Sequence, residues 1–268
     1  MDHVPAVQID SGITMPLLGF GTARLRGEDG RDSVGHALKA GYRLIDTATA
    51  YSNEAEIGQA VRDSGLARDE VFITTKLPGT RSGQPRQALI DSLRRLRTDY
   101  VDLWLIHWPP TGPDASVRVW AEFLQARADG LCRAVGVSNY TPAQIDALTA
   151  ATGQTPAVDQ VRWSVSDHNP ALLTALRDRQ VTVEGFGPLK GTPLHDRVLV
   201  EMAAAHGVTP AQVALRWHLQ LGIIAIPRSA RRERIESNID VLGFSLTSEE
   251  MNCLCEFSCA GQDTKGTA

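Results

Sequence analysis

Short apolar runs rich in branched residues alternate along this chain with longer segments whose apolar positions recur at the helical period. The first pair is LLGFG followed by RDSVGHALKAG, and the order of strand and then helix repeats from there. We therefore predict about eight strands, each followed by helical sequence. The strand runs are LLGFG, YRLID, VFITTK, VDLWLIH, CRAVGVS, AVDQ, VTVEGF and GIIAIP.

Alternation of this kind indicates parallel strands joined by right-handed helical crossovers, and about eight such units in 268 residues predict an α/β fold of the closed (β/α)8 barrel type. An open doubly wound sheet is the competing arrangement. However, no G-x-G-x-x-G follows the first strand and no Pro/Gly-rich linker divides the chain. We expect residues 1–268 to form a single domain, with a hairpin at Ser11 and Gly12 capping the barrel floor and with residues 261–268 disordered.

The charge balance and the apolar runs exclude several classes of protein. Lys and Arg total 27 against 31 Asp and Glu, so the basic excess typical of nucleic-acid binders is missing. No run approaches the roughly 20 apolar residues that cross a bilayer, and the start MDHVPAVQID lacks the features of a signal peptide. No H-x-H, H-E-x-x-H or paired-cysteine spacing predicts a metal site. We therefore expect a cytoplasmic protein with no metal, nucleic-acid or membrane partner.

Three of the apolar strand runs end in an ionisable residue, at the side from which the next loop departs: Asp46, Lys76 and His107. In a barrel, reacting groups come from the carboxyl ends of several strands. Counting back by twos from His107 meets Leu105 and Leu103, so the face that carries His107 is apolar and should point into the barrel. The sequence therefore predicts that these three polar ends converge.

Lys76 is notable because the chain has only four lysines. A buried ammonium costs several kcal/mol unless it is paired, and Asp46 is a candidate partner. A purely structural ion pair is the alternative interpretation. Tyr51 follows Asp46 by five residues and precedes a helix start where Asn53 and Glu56 have the spacing of an N-cap and its reciprocal partner, which should hold the phenol near the same rim.

The segment GYRLIDTATAYSNEAEIG resembles the first signature of the aldo-keto reductase family, whose members are NAD(P)H-dependent (β/α)8 barrels with an Asp, Tyr, Lys and His tetrad. VFITTKL, LWLIHWP, GVSNY, FGPL and IPRSARRERIESN resemble later blocks of that family in the same order, and the likeness is strongest to bacterial members of the diketogluconate reductase type. The resemblance implies a catalytic tetrad of Asp46, Tyr51, Lys76 and His107.

The chemistry of carbonyl reduction accounts for these residue types. Hydride addition builds negative charge on the carbonyl oxygen, which then needs a proton donor and oriented hydrogen bonds. The resemblance makes Tyr51 the proton donor and Lys76 the charge that lowers the pKa of its phenol. Asp46 would hold Lys76, while His107 and the adjacent Trp108 would contact the substrate. Members of that family often have Trp or Tyr at the position of Ala23, so the resemblance, together with the short loop PPTGPDASV, implies a roomier or shallower pocket.

The block IPRSARRERIESN places Arg231, Arg232 and Arg234 in the first turns of a predicted helix. Positive side chains are unfavourable at a helix N-terminus unless an anion binds there, although a solvated basic face is the alternative. In the family that this chain resembles, the last barrel loop holds the adenosine 2′-phosphate, which implies a preference for NADPH. The implied phosphate contacts are Arg228, Ser229, Arg234 and Asn238.

For the rest of the cofactor, the resemblance assigns Ser138, Asn139 and Gln160 to the nicotinamide carboxamide and stacks Phe186 on the ring. The remaining residues implied to border the cofactor are Gly21, Thr22, Asp46, Gly187 and Leu189.

These observations together predict a monomeric NADPH-dependent reductase of small aldehydes or ketones. Two other functions remain open from the residues. One is an NADP(H)-bound sensor or binding protein with little turnover. The other is a Schiff-base aldolase, since (β/α)8 barrels often use a lysine at a strand end.

Overall fold

The computed structural model describes residues 4–257, and the predicted tail at 261–268 lies outside that range. Its main sheet has eight parallel strands, and strands that follow one another in the sequence lie side by side in the sheet. The strands are β3 (Phe20–Gly21), β4 (Leu44–Asp46), β5 (Phe72–Leu77), β6 (Val101–Ile106), β7 (Cys132–Ser138), β8 (Val158–Arg162), β9 (Thr182–Phe186) and β10 (Ile224–Ile226).

Most of the helices connect successive strands, the last two follow the final strand, and all belong to the outer layer, where apolar side chains pack against the sheet. Those in the described range are α1 (Gly27–Ala40), α2 (Glu54–Asp63), α3 (Pro85–Leu96), α4 (Pro113–Ala128), α5 (Pro142–Thr152), α6 (Pro170–Asp178), α7 (Arg197–His206), α8 (Pro210–Gln220), α9 (Arg232–Ile239) and α10 (Ser248–Glu256).

The first and last strands of the sheet meet, which closes the barrel. Leu18, just before β3, forms a parallel bridge with Ala225 in β10. The backbone N–H of Gly19 donates to the carbonyl oxygen of Ala225 at 2.8 Å, and that of Gly21 donates to Pro227 at 3.0 Å. The predicted (β/α)8 barrel is therefore confirmed, because an open sheet would leave these edge groups unpaired.

The amino-terminal hairpin covers the end of the barrel at which the strands begin. It consists of β1 (Ala6–Asp10) and β2 (Ile13–Pro16), joined by a turn in which Gly12 has φ +70°. Ile9 and Met15 are buried against side chains of the barrel interior, among them Leu44 and Phe72 at the starts of their strands. The predicted cap on the floor is confirmed, and the opposite end of the barrel is left for a site.

Helix α10 was not among the predicted elements, although its start carries a readable signal. The side chain of Thr247 accepts a hydrogen bond from the backbone N–H of Glu250 at 3.2 Å, and the Glu250 carboxylate accepts one from the N–H of Thr247 at 2.7 Å. This reciprocal arrangement is a capping box, and the sequence T-x-x-E marks it.

No single helix in residues 4–257 is long and apolar enough to cross a membrane. Helices α7 and α8 pass that test only as a pair, and they are bent by 83° at the break between them. The same residues contain no group of three or more His, Cys, Asp or Glu side chains arranged to hold a metal ion.

Candidate active site

A pocket of about 540 Å³ opens at the carboxyl ends of the strands, opposite the hairpin. A larger groove of about 910 Å³ runs beside α3 and α4, but its lining residues are not at strand ends. The smaller pocket is the one into which polar strand ends converge. It is lined by Gly21, Ala23, Arg24, Asp46, Tyr51, His107, Trp108, Ser138, Asn139, Gln160, Phe186, Gly187, Pro188, Leu189, Lys190, Ile226, Pro227 and Arg228.

At the base of this pocket, Lys76 and Asp46 form a buried ion pair. The Lys76 Nζ donates to Asp46 Oδ1 at 2.6 Å, to Asp46 Oδ2 at 2.7 Å and to the carbonyl oxygen of Thr47 at 2.9 Å. Burial acts to lower the pKa of Lys76, but the charges of Asp46 and Tyr51 more than offset it, so that this pKa is raised. Lys76 is therefore an ammonium at neutral pH.

Tyr51 lies beside this ammonium, at the end of a short helical turn formed by Thr49–Tyr51. The Lys76 Nζ is 3.4 Å from its hydroxyl oxygen and 5.0 Å from the centre of its ring. Burial raises the pKa of Tyr51, and the charge of Lys76 opposes that rise without cancelling it. The net direction is opposite to the lowering expected from the sequence, because removal of the phenol from water outweighs the nearby charge.

His107 completes the group of four. Its ring meets the ring of Tyr51 edge-on, with centroids 5.8 Å apart. Burial, assisted by the charge of Lys76, lowers the pKa of His107 to about 4. The imidazole is therefore neutral at pH 7, with one N–H donor and one acceptor. The neighbouring Trp108 is 56% exposed at the mouth of the pocket.

Asn53 is the N-cap residue of α2, as its position predicted, but its side chain fixes the loops around Tyr51 and does not bond to the helix backbone. Its side chain makes no capping hydrogen bond; instead Nδ2 donates to the carbonyl oxygens of Thr22 at 2.9 Å and Leu25 at 2.8 Å. Its Oδ1 accepts from the Thr47 hydroxyl at 2.8 Å. The predicted N-cap position is therefore confirmed, but the predicted reciprocal hydrogen bonds with Glu56 are absent among the described residues, because the Asn53 Oδ1 that would accept from the helix backbone accepts from Thr47 instead. Asn53 thereby ties the loop after β3 to the segment that carries Tyr51.

Three amide and hydroxyl side chains line one wall of the pocket. The Ser138 hydroxyl donates to the carbonyl oxygen of Gln160 at 2.8 Å, and Asn139, at φ +63°, donates from Nδ2 to the Ser138 hydroxyl at 2.9 Å. The Gln160 Nε2 donates to Asp46 Oδ2 and to Glu184 Oε2, each at 2.8 Å. This wall is therefore bonded directly to the ion pair.

Glu184 was missed in the sequence, although a charged residue inside the apolar run VTVEGF is a visible signal. Its side chain is fully buried in β9, and among the described residues its Oε1 has no hydrogen-bond partner. Burial, together with the charge of Asp46, raises the pKa of Glu184 to about 8. The carboxyl group is thus largely neutral at pH 7.

The rest of the pocket fits a dinucleotide. A Cβ at Gly21 would lie 2.9 Å from the carbonyl oxygen of Ile226, so only glycine allows this wall to lie so close to β10. Phe186, beside Ile226 on the other side of β10, also lines the pocket and offers an aromatic face. Arg24, Lys190 and Arg228 line the rim of the pocket, and of these three only Arg228 was predicted from the sequence.

The predicted phosphate residues are only partly brought together. Arg228 lines the pocket, whereas Ser229, Arg234 and Asn238 do not; Arg234 is exposed and Asn238 is buried in α9. Within residues 4–257, no carboxylate lies within ion-pair distance of Arg228 or Arg234. Arg228 Nη1 donates to the carbonyl oxygen of Ala23 at 3.0 Å, so this guanidinium keeps its charge and further N–H groups beside the N-terminus of α9, a donor set that suits a phosphate.

Thr22 does not line the pocket either. It is fully buried, and its hydroxyl donates to the backbone carbonyl oxygen of Asp46 at 2.9 Å. Thr22 therefore ties the loop after β3 to the end of β4.

Comparisons with known proteins agree with this geometry. The aldo/keto reductase family profile matches residues 17–258. An aldo-keto reductase of Mycolicibacterium smegmatis is 42% identical over 254 residues, which cover 94% of this chain and 90% of the relative. The 2,5-diketo-D-gluconic acid reductase B of a Corynebacterium species is 39% identical over 260 residues, covering 95% and 93%.

Solved structures show the same fold. The aldo/keto reductase from Brucella melitensis superposes with a TM-score of 0.92 at 36% identity, covering 95% of this chain and 99% of that one. The aldo-keto reductase of Bombyx mori, solved in complex with NADP, gives a TM-score of 0.88 at 31% identity, covering 96% and 94%. This chain therefore belongs to the aldo/keto reductase family.

Proposed function

We propose that this chain reduces aldehydes or ketones to alcohols with NADPH, and that Tyr51 is the general acid. Membership of the aldo/keto reductase family makes the chain an NADP-dependent oxidoreductase. The observation that carries the finer proposal is the position of the Tyr51 hydroxyl, 3.4 Å from a buried ammonium at the base of the pocket. A phenol in that position can release its proton to an oxygen in the pocket.

The pocket and its rim would hold the cofactor, which when bound supplies the hydride. Ser138, Asn139 and Gln160 offer hydrogen bonds for the carboxamide, and Phe186 offers a face for the nicotinamide ring. Arg228, Ser229, Arg234 and Asn238 would hold the 2′-phosphate. Gly21, Asp46, Gly187 and Leu189 would border the remainder, while Thr22 would support them through its hydrogen bond to the carbonyl oxygen of Asp46.

Within this arrangement, each tetrad residue has a distinct task. Tyr51 stays protonated until the reaction, because burial raises its pKa. When the phenol gives its proton to the substrate oxygen, the phenolate that forms is stabilised by the Lys76 ammonium, which Asp46 holds in place. Neutral His107 can donate its N–H to the same oxygen and so orient the carbonyl.

The other functions considered from the sequence have less support. A Schiff-base aldolase needs an unprotonated lysine, whereas Lys76 is held as an ammonium by Asp46. A complete tetrad at the pocket favours turnover over an NADP(H)-binding sensor. We further propose a monomer in the cytoplasm with a small carbonyl compound as its substrate.

We expect Tyr51→Phe to lower turnover by about 100-fold or more, since it removes the proton donor and leaves the ring. The affinity for NADPH should stay within about twofold, because losing the phenol hydroxyl should change the free energy of NADPH binding by less than the contribution of one hydrogen bond. Steady-state assays and calorimetric titration measure the two effects. Wild-type turnover by the variant would rule out Tyr51 as the acid.

We expect Arg234→Ala to weaken NADPH binding by about tenfold and to leave NADH binding unchanged, because a charge-assisted hydrogen bond to the 2′-phosphate is lost. Arg232→Ala is the matched control, since that guanidinium is paired with Glu236 at 2.8 Å. Calorimetric titration of both nucleotides measures the effect. An equal loss for NADPH and NADH would contradict the phosphate contact.

We expect kcat/KM to show no ionisation of His107 between about pH 5 and about pH 7. The pKa of His107 is lowered to about 4, so its ring stays neutral throughout that interval and becomes charged only below it. A wild-type pH profile and the same profile for His107→Gln provide the check. An inflection near pH 6.5, present in the wild type and absent in the variant, would contradict this assignment.

A further inference from the structure

The side-chain amide of Gln160 lies between the carboxyl groups of Asp46 and Glu184. Its Nε2 donates to Asp46 Oδ2, at the end of β4, and to Glu184 Oε2 in β9, both at 2.8 Å. A primary amide has two N–H donors and one carbonyl acceptor. Both donors of Gln160 are therefore used inside the protein, while its Oε1 accepts no hydrogen bond from residues 4–257 and the side chain lines the pocket.

This arrangement allows only one orientation of the amide. Turning it over would place the carbonyl oxygen of Gln160 against Asp46, whose oxygens already carry the negative charge that pairs with Lys76. Two acceptors would then face each other in a buried site, and both amide hydrogens would lose their partners. The pocket consequently receives a hydrogen-bond acceptor from Gln160 and no donor.

Glu184 has no other evident task in the described structure. It is fully buried, it is not among the pocket-lining residues, and its strand neighbours in register are Gln160 on one side and the apolar Ile224 on the other. Burying Oε1 without a hydrogen-bond partner costs folding free energy, whereas an apolar side chain at this position would leave no polar atom unsatisfied. Among residues 4–257, the one hydrogen bond that its carboxyl group makes is the bond that it accepts from Gln160.

We propose that Glu184 is a positioning residue for the nicotinamide end of the cofactor: together with Asp46 it holds both amide hydrogens of Gln160, so that only the carbonyl oxygen faces the pocket. This inference rests on the proposed function, because the matching ligand group is the N–H of the nicotinamide carboxamide. Without Glu184, one amide hydrogen of Gln160 is free, and the side chain can rotate to offer it to the ligand.

The test compares NADP⁺ with its 3-acetylpyridine analogue, whose acetyl group keeps the oxygen of the carboxamide and lacks its N–H. We expect the wild type to bind NADP⁺ about tenfold more tightly than the analogue, as measured by calorimetric titration. Glu184→Met, similar in length and without an acceptor, should reduce that ratio to about twofold, because the freed N–H of Gln160 can bond to the acetyl oxygen.

Two control variants separate orientation of the amide from general damage to the barrel interior. Glu184→Gln retains an acceptor oxygen and should keep the wild-type ratio. Ile224→Val removes one methylene beside Glu184 in the register and touches no hydrogen bond, so it should also keep the ratio. Glu184→Ser, too short to reach Gln160, gives a second measurement of the lowered ratio if the methionine variant does not fold.

A lowered ratio in Glu184→Met or Glu184→Ser that Glu184→Gln restores supports the proposal. If a variant binds both nucleotides more weakly by the same factor, Glu184 has only a structural role and the proposal is overturned. A wild-type ratio near one would also overturn it, whatever the variants do. Failure of the wild type to bind either nucleotide would instead refute the proposed function, so the two failures are distinguishable.

Discussion

The ion pair between Asp46 and Lys76 is the interaction on which the rest of the site depends. A lone ammonium inside the barrel would cost several kcal/mol, so each member of the pair requires the other. The two Asp46 oxygens and the Thr47 carbonyl oxygen, at 2.6 to 2.9 Å, satisfy the three N–H groups of Lys76. Tyr51, at 3.4 Å, is then a fourth and weaker partner. In the proposed mechanism it becomes a strong partner only when it loses its proton, which is the moment at which the reaction needs stabilisation.

The charges around this pair are nearly balanced while Tyr51 is protonated. Lys76 and Asp46 cancel, the pKa of His107 is lowered to about 4, and that of Glu184 is raised to about 8, so both of these groups are largely neutral at pH 7. Loss of the Tyr51 proton adds one negative charge to a buried cluster. Three basic residues on the pocket rim oppose that charge and also suit an anionic dinucleotide: Arg24, Lys190 and Arg228.

The features that follow from the periodic spacing of apolar residues could be predicted from the sequence. The alternation of strands and helices gave the barrel, and the polar ends of YRLID, VFITTK and VDLWLIH meet at one pocket because carboxyl ends of parallel strands share one face. Resemblance supplied residues that the pattern alone did not single out, such as Gln160 and Phe186, and both line that pocket.

The features that depend on long-range contacts could not be predicted in the same way. Asn53 is the N-cap residue that its spacing predicted, but its Oδ1 accepts from the Thr47 hydroxyl and not from the helix backbone. Its Nδ2 donates to carbonyl groups about 30 positions earlier in the chain, which only the folded rim brings near. The pKa of Tyr51 depends on a balance between burial and the charge of Lys76, and the sequence gives neither the depth of the phenol nor its distance from the ammonium. Glu184 was not predicted, because the role of a charged residue in an apolar strand depends on its neighbour in the adjacent strand, here Gln160.

The central claim is that the charge of Lys76 stabilises the phenolate left by Tyr51. The most direct measurement is the single-turnover rate of carbonyl reduction, with saturating NADPH, by a double variant with Asp46→Asn and Lys76→Met, which removes both charges together and leaves no buried ion unpaired. We predict a rate at least about 100-fold below that of the wild type in a protein that still folds and binds NADPH. A wild-type rate in that variant would contradict the account.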